Sequence, residues 1–320
     1  MTSSIEKAAQ RLEQLRKAGV PLPSGALPAP NIAGGAISQH SERMGGVMRE
    51  SPFAAARDEE AAPKLKSKSI EIDLRALAAA GFVTPGAPRS ITTDQFRVLK
   101  RPLLENATGK GTSMVANGNL IMVTSSLSGE GKTFTAINLA MSLAMEVDHT
   151  VMLVDADVAR PSIMQTLGLP PAPGLLDLLL DAKISLSDVL LRTNVENLTL
   201  LPTGLPNSLA TELLASDAMV ALLNDMGSRY RDRIIIFDSP PLLQTTEARV
   251  LASHMGQVVI VVQAEKTLQS QVHHALATIS TCPIRLMVLN QARNRRFAAS
   301  PYRYGYEGAI GTERAATAAG

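Results

Sequence analysis

The sequence predicts an α/β fold: a mostly parallel sheet flanked by helices on both faces. Three observations lead there. Six short apolar runs, near 119–124, 150–154, 198–202, 234–238, 258–263 and 284–290, alternate with stretches of helical character. The runs are continuously apolar, as in strands covered on both sides. Two of them end in aspartate, and a glycine-containing loop follows the first.

That first run, Asn119 to Thr124, leads into Ser125-Ser-Leu-Ser-Gly-Glu-Gly-Lys-Thr133. Such a loop points backbone N–H groups at phosphate oxygens, and a Cβ at its tightest points blocks the approach. Gly129 and Gly131 supply that freedom. Lys132 is expected to reach the β- and γ-phosphates and the Thr133 hydroxyl to bind Mg²⁺. A helix from about Thr133 to Met145 puts its positive end on the phosphates. Ser128, Gly129, Glu130, Gly131, Lys132, Thr133 and Phe134 are the expected nucleotide-binding residues. The common pattern begins with glycine, and Ser126 stands there instead.

The second run ends Val154-Asp155-Ala156-Asp157. Two aspartates two apart share one side of an extended chain, so both can serve one Mg²⁺–phosphate centre. One suits the metal or its waters; the other suits acceptance of a proton from an attacking hydroxyl. The run Ile234-Ile-Ile-Phe-Asp238 ends in a third carboxylate, before Ser239-Pro-Pro241.

Three of the four tyrosines crowd into Tyr302, Tyr304 and Tyr306. A nucleotide site and a tail of acceptor hydroxyls in one chain suggest an enzyme that phosphorylates itself or its copies. The tail after Asn290 carries Arg293, Arg295, Arg296 and Arg303 without apolar periodicity, and residues 298–320 read as flexible.

Before the sheet, residues 1–18 read as a short amphipathic helix with Ile5, Ala8, Leu12 and Leu15 on one face. Residues 19–68, rich in Pro, Gly and Ala, read as linker. Lys64-Leu-Lys-Ser-Lys68 is a small basic run. Ser69 to Pro85 reads as a short strand and a helix ended by Gly81, folded onto the main body of residues 69–297. Pro102 is expected to kink or end the helix that begins near Ile91. Leu175 to Leu191 reads as two short core helices.

At 320 residues with 45% apolar content the chain can bury a full core. Aromatics are 3%, tryptophan is absent and the net charge is +2, which argues against a nucleic-acid partner. A single cysteine, Cys282, allows no internal disulfide, suits a reducing cytoplasm and reads as an inert buried thiol. No run approaches the length of a membrane helix, and no apolar leader stands at the N-terminus.

Taken together, Thr124–Thr133, Val154-Asp-Ala-Asp-Val-Ala-Arg-Pro161 and Phe237-Asp-Ser-Pro-Pro241 resemble the bacterial tyrosine kinases of exopolysaccharide export. These belong to the deviant Walker P-loop class that includes the MinD and ParA ATPases. The opening Ser3–Ala9 and Asp73–Pro85 resemble the subgroup found with PEP-CTERM/exosortase loci. The resemblance implies ATP and Mg²⁺ as cofactors. It implies Lys132 at the phosphates, Thr133, Asp157 and Asp238 at the metal, Asp155 as base for the tyrosine hydroxyl, and Asn290 near adenine. It implies Tyr302, Tyr304 and Tyr306 as acceptors and a homo-oligomer. Its subunit-contact helix matches Asp94, Arg97 and Lys100, where the family favours Glu-x-x-Arg-x-x-Arg. Implied partners are a transmembrane polysaccharide chain-length regulator, which activates the kinase and holds it at the inner membrane from the cytoplasm, and a protein-tyrosine phosphatase. Ala159 stands where the family often has a basic residue, and Arg160 is the nearest substitute. The competing readings are a MinD/ParA-type ATPase switch without kinase activity and a nucleotide-bound regulator. The partition ATPases carry a lysine five residues before Lys132; Leu127 stands there.

Overall fold

A computed structural model of the chain describes residues 68–109, 115–230 and 232–292. The expected helix at 1–18, nearly all of the linker and the tyrosine tail lie outside the described residues.

Each of the six apolar runs forms a strand, and two two-residue strands join them. In chain order the strands are β1 (Lys68–Ser69), β2 (Leu120–Ser125), β3 (Thr150–Asp155), β4 (Leu191–Arg192), β5 (Leu198–Leu201), β6 (Arg233–Asp238), β7 (Gln257–Gln263) and β8 (Ile284–Asn290). They build one sheet in the order β1-β4-β5-β3-β6-β2-β7-β8. Every pairing is parallel except β4 with β5. The sheet thus matches the expected class, with β4 as an unanticipated short strand between β1 and β5. Two residues are too few to show a strand period.

Period-two alternation divides the core between the two faces. Ile121 and Val123 of β2 join one apolar cluster, and Leu120 and Met122 join the other. The first face is covered by α1 (Leu74–Ala79), α2 (Ile91–Ala107) and α3 (Lys132–Ala144). On the second face, α8 (Asp217–Arg229), α9 (Glu247–Ser253) and α10 (Gln269–Thr278) contribute Met219, Leu223, Met226, Leu251 and Ala275. Between β3 and β6 lie α4 (Ile163–Thr166), α5 (Leu175–Leu180), α6 (Leu186–Val189) and α7 (Ala210–Leu214).

The N-terminal arm is stitched to this body by amide side chains. Asn194 accepts from the Ile72 N–H at 2.9 Å and donates to its carbonyl at 3.0 Å. Asn138 on α3 accepts from the Val83 N–H at 2.6 Å. Phe82 packs tilted against Phe134, ring centres 4.9 Å apart, and Phe134 also meets Phe96. Gly81 takes a φ of 87° after α1, the left-handed position that glycine occupies without strain.

Helix α2 corrects two expectations. It runs unbroken through Pro102 to Ala107. Tertiary packing of Phe96, Leu103 and Leu104 outweighs the one hydrogen bond that proline removes. Lys100 is also not a surface residue. It is 4% exposed, donates to the Ser142 carbonyl at 2.6 Å and pairs with Glu146 at 2.6 Å. There it caps the C-terminal end of α3. Asp94 and Arg97 remain half-exposed, 3.8 Å apart, and Asp94 also pairs with Arg89 at 2.8 Å. Lys100 therefore offers no free charge to a neighbouring molecule, whereas Asp94 and Arg97 are open to solvent.

Candidate active site

The parallel register aligns the carboxyl ends of the three central strands. Asp155 of β3 and Val123 of β2 are both Cα partners of Asp238 in β6. The loop leaving β2 therefore arches over two strand ends that each present a carboxylate. This crevice outside the carboxyl ends is where open α/β sheets bind ligands.

Gly129 and Gly131 take φ values of 88° and 94°, as the loop requires. A Cβ on Gly131 would fall on the Asn290 amide. Helix α3 starts at Lys132, so the first N–H groups of a 13-residue helix point into the loop.

Lys132 Nζ lies 2.6 Å from Asp157 Oδ2. Burial works to lower the pKa of this ammonium. Asp238, Asp157 and Asp155 together outweigh it and hold the group above the ordinary lysine value. Thr133 Oγ1 donates to Asp238 Oδ2 at 2.6 Å and lies 2.9 Å from the Ser162 hydroxyl. Asp238 is fully buried, and burial pushes its carboxyl up to about 7, against the pull of Lys132 and Thr133. Asp155 accepts through Oδ2 from the N–H groups of Ser162 and Ile163 at 3.1 and 3.0 Å. Burial nonetheless pushes it up to about 6.

Oδ1 of Asp155 and Oδ1 of Asp238 are buried without a hydrogen-bond partner. A buried carboxylate oxygen left bare is costly. A cation or a proton beside it removes that cost. Among the described residues no group of three or more acidic, histidine or cysteine side chains encloses a metal by itself. The donor set of Thr133, Asp157 and Asp238 is all oxygen. It fits Mg²⁺, which takes one or two carboxylates plus substrate phosphates rather than a full protein cage.

Lys132, Thr133, Asp155, Asp157 and Asp238, expected from three separate stretches, thus meet in one pocket. Other expected residues sit there in different roles. Glu130 is buried and turns into its own loop, accepting from the Leu127 N–H at 2.7 Å. The Phe134 side chain packs into the core against Phe82 and Phe96. Asn290, expected near adenine, donates to the Glu130 carbonyl at 2.9 Å and so holds the loop. The Arg160 guanidinium reaches the Ser128 hydroxyl at 3.2 Å, bringing a cation to the loop despite Ala159. Ser162 was not legible: nothing in its sequence position announces that its N–H and hydroxyl face Asp155 and Thr133. Cys282 is buried away from the site, and burial pushes its thiol up.

A family model described as an AAA domain matches residues 118–288, more than half of the chain. The tyrosine-protein kinase YwqD of Bacillus subtilis is 29% identical over 221 residues, covering 69% of this chain and 88% of YwqD. The tyrosine-protein kinase wzc of Salmonella typhi is 27% identical over 68% of this chain, which spans only 29% of wzc. The crystal structure of the VpsO kinase domain is 30% identical and is covered over its whole length, with a TM-score of 0.50.

The chain belongs to the bacterial tyrosine-kinase family. The three motifs that resemble that family all lie inside the matched region. Among the described residues no helix is long and apolar enough to cross a membrane.

Proposed function

We propose that this tyrosine kinase transfers the γ-phosphoryl group of ATP to Tyr302, Tyr304 and Tyr306 of another copy. The observation that carries the reading is the pocket itself. One lysine faces three carboxylates at the mouth of a phosphate loop, and two carboxylate oxygens lack partners.

The N–H groups of residues 129–133 receive the phosphates, and Lys132 exchanges Asp157 for the β- and γ-phosphoryl oxygens. Thr133, Asp157 and Asp238 hold Mg²⁺, which when bound offsets negative charge on the phosphates. Asp155 Oδ1 is unpartnered and free to accept the phenolic proton. The tyrosine oxygen bonds to the γ-phosphorus as the bond to the bridging oxygen breaks, and that electron pair leaves on ADP. The products are ADP, phosphotyrosine and one proton held by Asp155. Because Asp155 titrates near 6, it is largely ionised at neutral pH yet basic enough to take the proton.

The wider setting follows the family resemblance. Copies associate through Asp94 and Arg97, and the tail of one enters the pocket of the next. A transmembrane polysaccharide chain-length regulator activates the kinase and holds it at the inner membrane. A protein-tyrosine phosphatase resets it, and the cycle regulates exopolysaccharide export in a PEP-CTERM-type locus. Leu127, in place of the partition ATPases' lysine, favours this reading over an ATPase switch. The test is to incubate the full chain with ATP and Mg²⁺, with and without a regulator's cytoplasmic segment, and to blot for phosphotyrosine. ATP hydrolysis without phosphotyrosine in either mixture would leave the switch as the better reading.

A further inference from the structure

We infer that Thr267 is a positioning residue for nucleotide binding: acting through Glu130, it holds the phosphate loop in its receptive shape. The inference rests on the pocket being a nucleotide site, as proposed above. Thr267 follows β7, more than 130 residues from the loop, and touches none of the groups assigned to phosphate or metal.

A phosphate loop works only if its N–H groups point inward, so its carbonyls must be held outward. Here the carbonyls of Gly129 and Glu130 each have a tether. The Glu130 carbonyl accepts from Asn290 Nδ2 at 2.9 Å. The Gly129 carbonyl faces Gln291 Nε2 at 3.5 Å. The Glu130 side chain does more. Oε2 accepts from the Leu127 N–H at 2.7 Å, closing the loop across three residues. Oε1 accepts from the Thr267 hydroxyl. Glu130 is 2% exposed, so water does not substitute for either donor.

Thr267 is itself fixed from behind. Its hydroxyl accepts from the Gln263 N–H at 3.2 Å, and its own N–H donates to the Gln263 carbonyl at 3.1 Å. The turn between them carries Glu265 at a φ of 62°, a left-handed conformation that a non-glycine residue adopts only under tertiary constraint. A chain of bonds therefore runs from the end of β7 through Thr267 and Glu130 to the Leu127 N–H. Without the hydroxyl, one oxygen of a buried carboxylate loses its donor. Glu130 then has reason to rotate toward solvent and release Leu127.

The test uses the full chain as Thr267→Val, which keeps the shape and removes the hydroxyl, and Thr267→Ser, which restores it. In nucleotide-free protein, amide hydrogen exchange over residues 126–131 is expected to speed up at least tenfold in Thr267→Val and to return to within twofold of wild type in Thr267→Ser. Affinity for a fluorescent ADP analogue is expected to fall about tenfold in Thr267→Val and to recover in Thr267→Ser. Unchanged exchange in Thr267→Val overturns the brace whether or not the protein proves to be a kinase. Faster exchange with unchanged ADP affinity overturns its role in positioning. A loss in Thr267→Val that serine does not rescue, accompanied by a lowered Tm, assigns Thr267 to the fold alone and overturns the inference as well. Absence of phosphotyrosine with both effects intact counts against the kinase reading and leaves the brace standing.

Discussion

Replacing Asp238 by asparagine is expected to abolish kinase activity and yet to stabilise the nucleotide-free protein at high pH. Asp238 is fully buried at the end of β6, and its carboxyl is pushed up to about 7 from the ordinary 3.8. Between those two values the folded chain keeps a proton that the unfolded chain has released. The folded state binds more protons, so stability falls as pH rises through this window. One such group gives a slope of up to ~1.4 kcal/mol per pH unit, so the upper bound over the interval between ordinary and folded values is roughly 4 kcal/mol. Asp155, raised to about 6, adds a smaller share with the same sign between about pH 4 and 6. Asparagine preserves the shape and still accepts from Thr133, but it never ionises. Near pH 4 the variant and wild type are expected to have similar stability, because both carry a neutral side chain. At pH 8 the variant is expected to be more stable by about 2–4 kcal/mol. Urea denaturation at pH 4.5, 6.5 and 8.0, without Mg²⁺ or nucleotide, measures this. Added Mg²⁺ is expected to flatten the wild-type slope and to leave the variant unaffected. An Asp238→Asn protein that is no more stable than wild type at pH 8, or that gains equally at all three pH values, would refute the burial argument.

The other predictions concern chemistry, acceptors and the α2 helix. Lys132→Met is expected to lower autophosphorylation by at least 10³-fold, since it removes the lysine cation that faces the transferred group. Asp155→Asn is expected to cost transfer far more than nucleotide affinity, and equal loss of both would remove Asp155 as the base. Changing Tyr302, Tyr304 and Tyr306 together to Phe is expected to remove most phosphotyrosine with ATP binding intact; mass spectrometry placing the main phosphate on Tyr230 contradicts that. Lys100→Met is expected to destabilise the fold by about 1–3 kcal/mol in urea, because the Ser142 carbonyl and Glu146 lose their donor. Arg97→Ala is expected to leave stability unchanged and to lower the assembled mass in light scattering; a matching loss of stability in both variants would contradict the separation of their roles.

The sequence by itself determined the strands, the phosphate loop and the acidic strand ends. Each is written in neighbouring residues. A two-sided buried strand must be apolar throughout, as Ile234–Phe237 is. A loop that wraps phosphate must have glycine where φ is positive, as Gly129 and Gly131 do. Parallel strands whose crossovers return to one edge then bring Lys132, Asp155, Asp157 and Asp238 together, although they lie up to 106 positions apart.

What the tertiary structure decided is where each polar side chain spends its hydrogen bonds. Lys100 reads like a surface charge of an amphipathic helix, and only the packing of α2 on α3 shows that it caps a helix end. Asn290 and Glu130 read like ligand contacts, and the structure shows the side chains of both bonded to loop backbone. Ser162 and Thr267 carry no local signal at all. A hydroxyl or amide has no preferred partner in sequence. Its role depends on which donor or acceptor the fold brings within about 3 Å, and that is settled by packing between segments far apart in the chain.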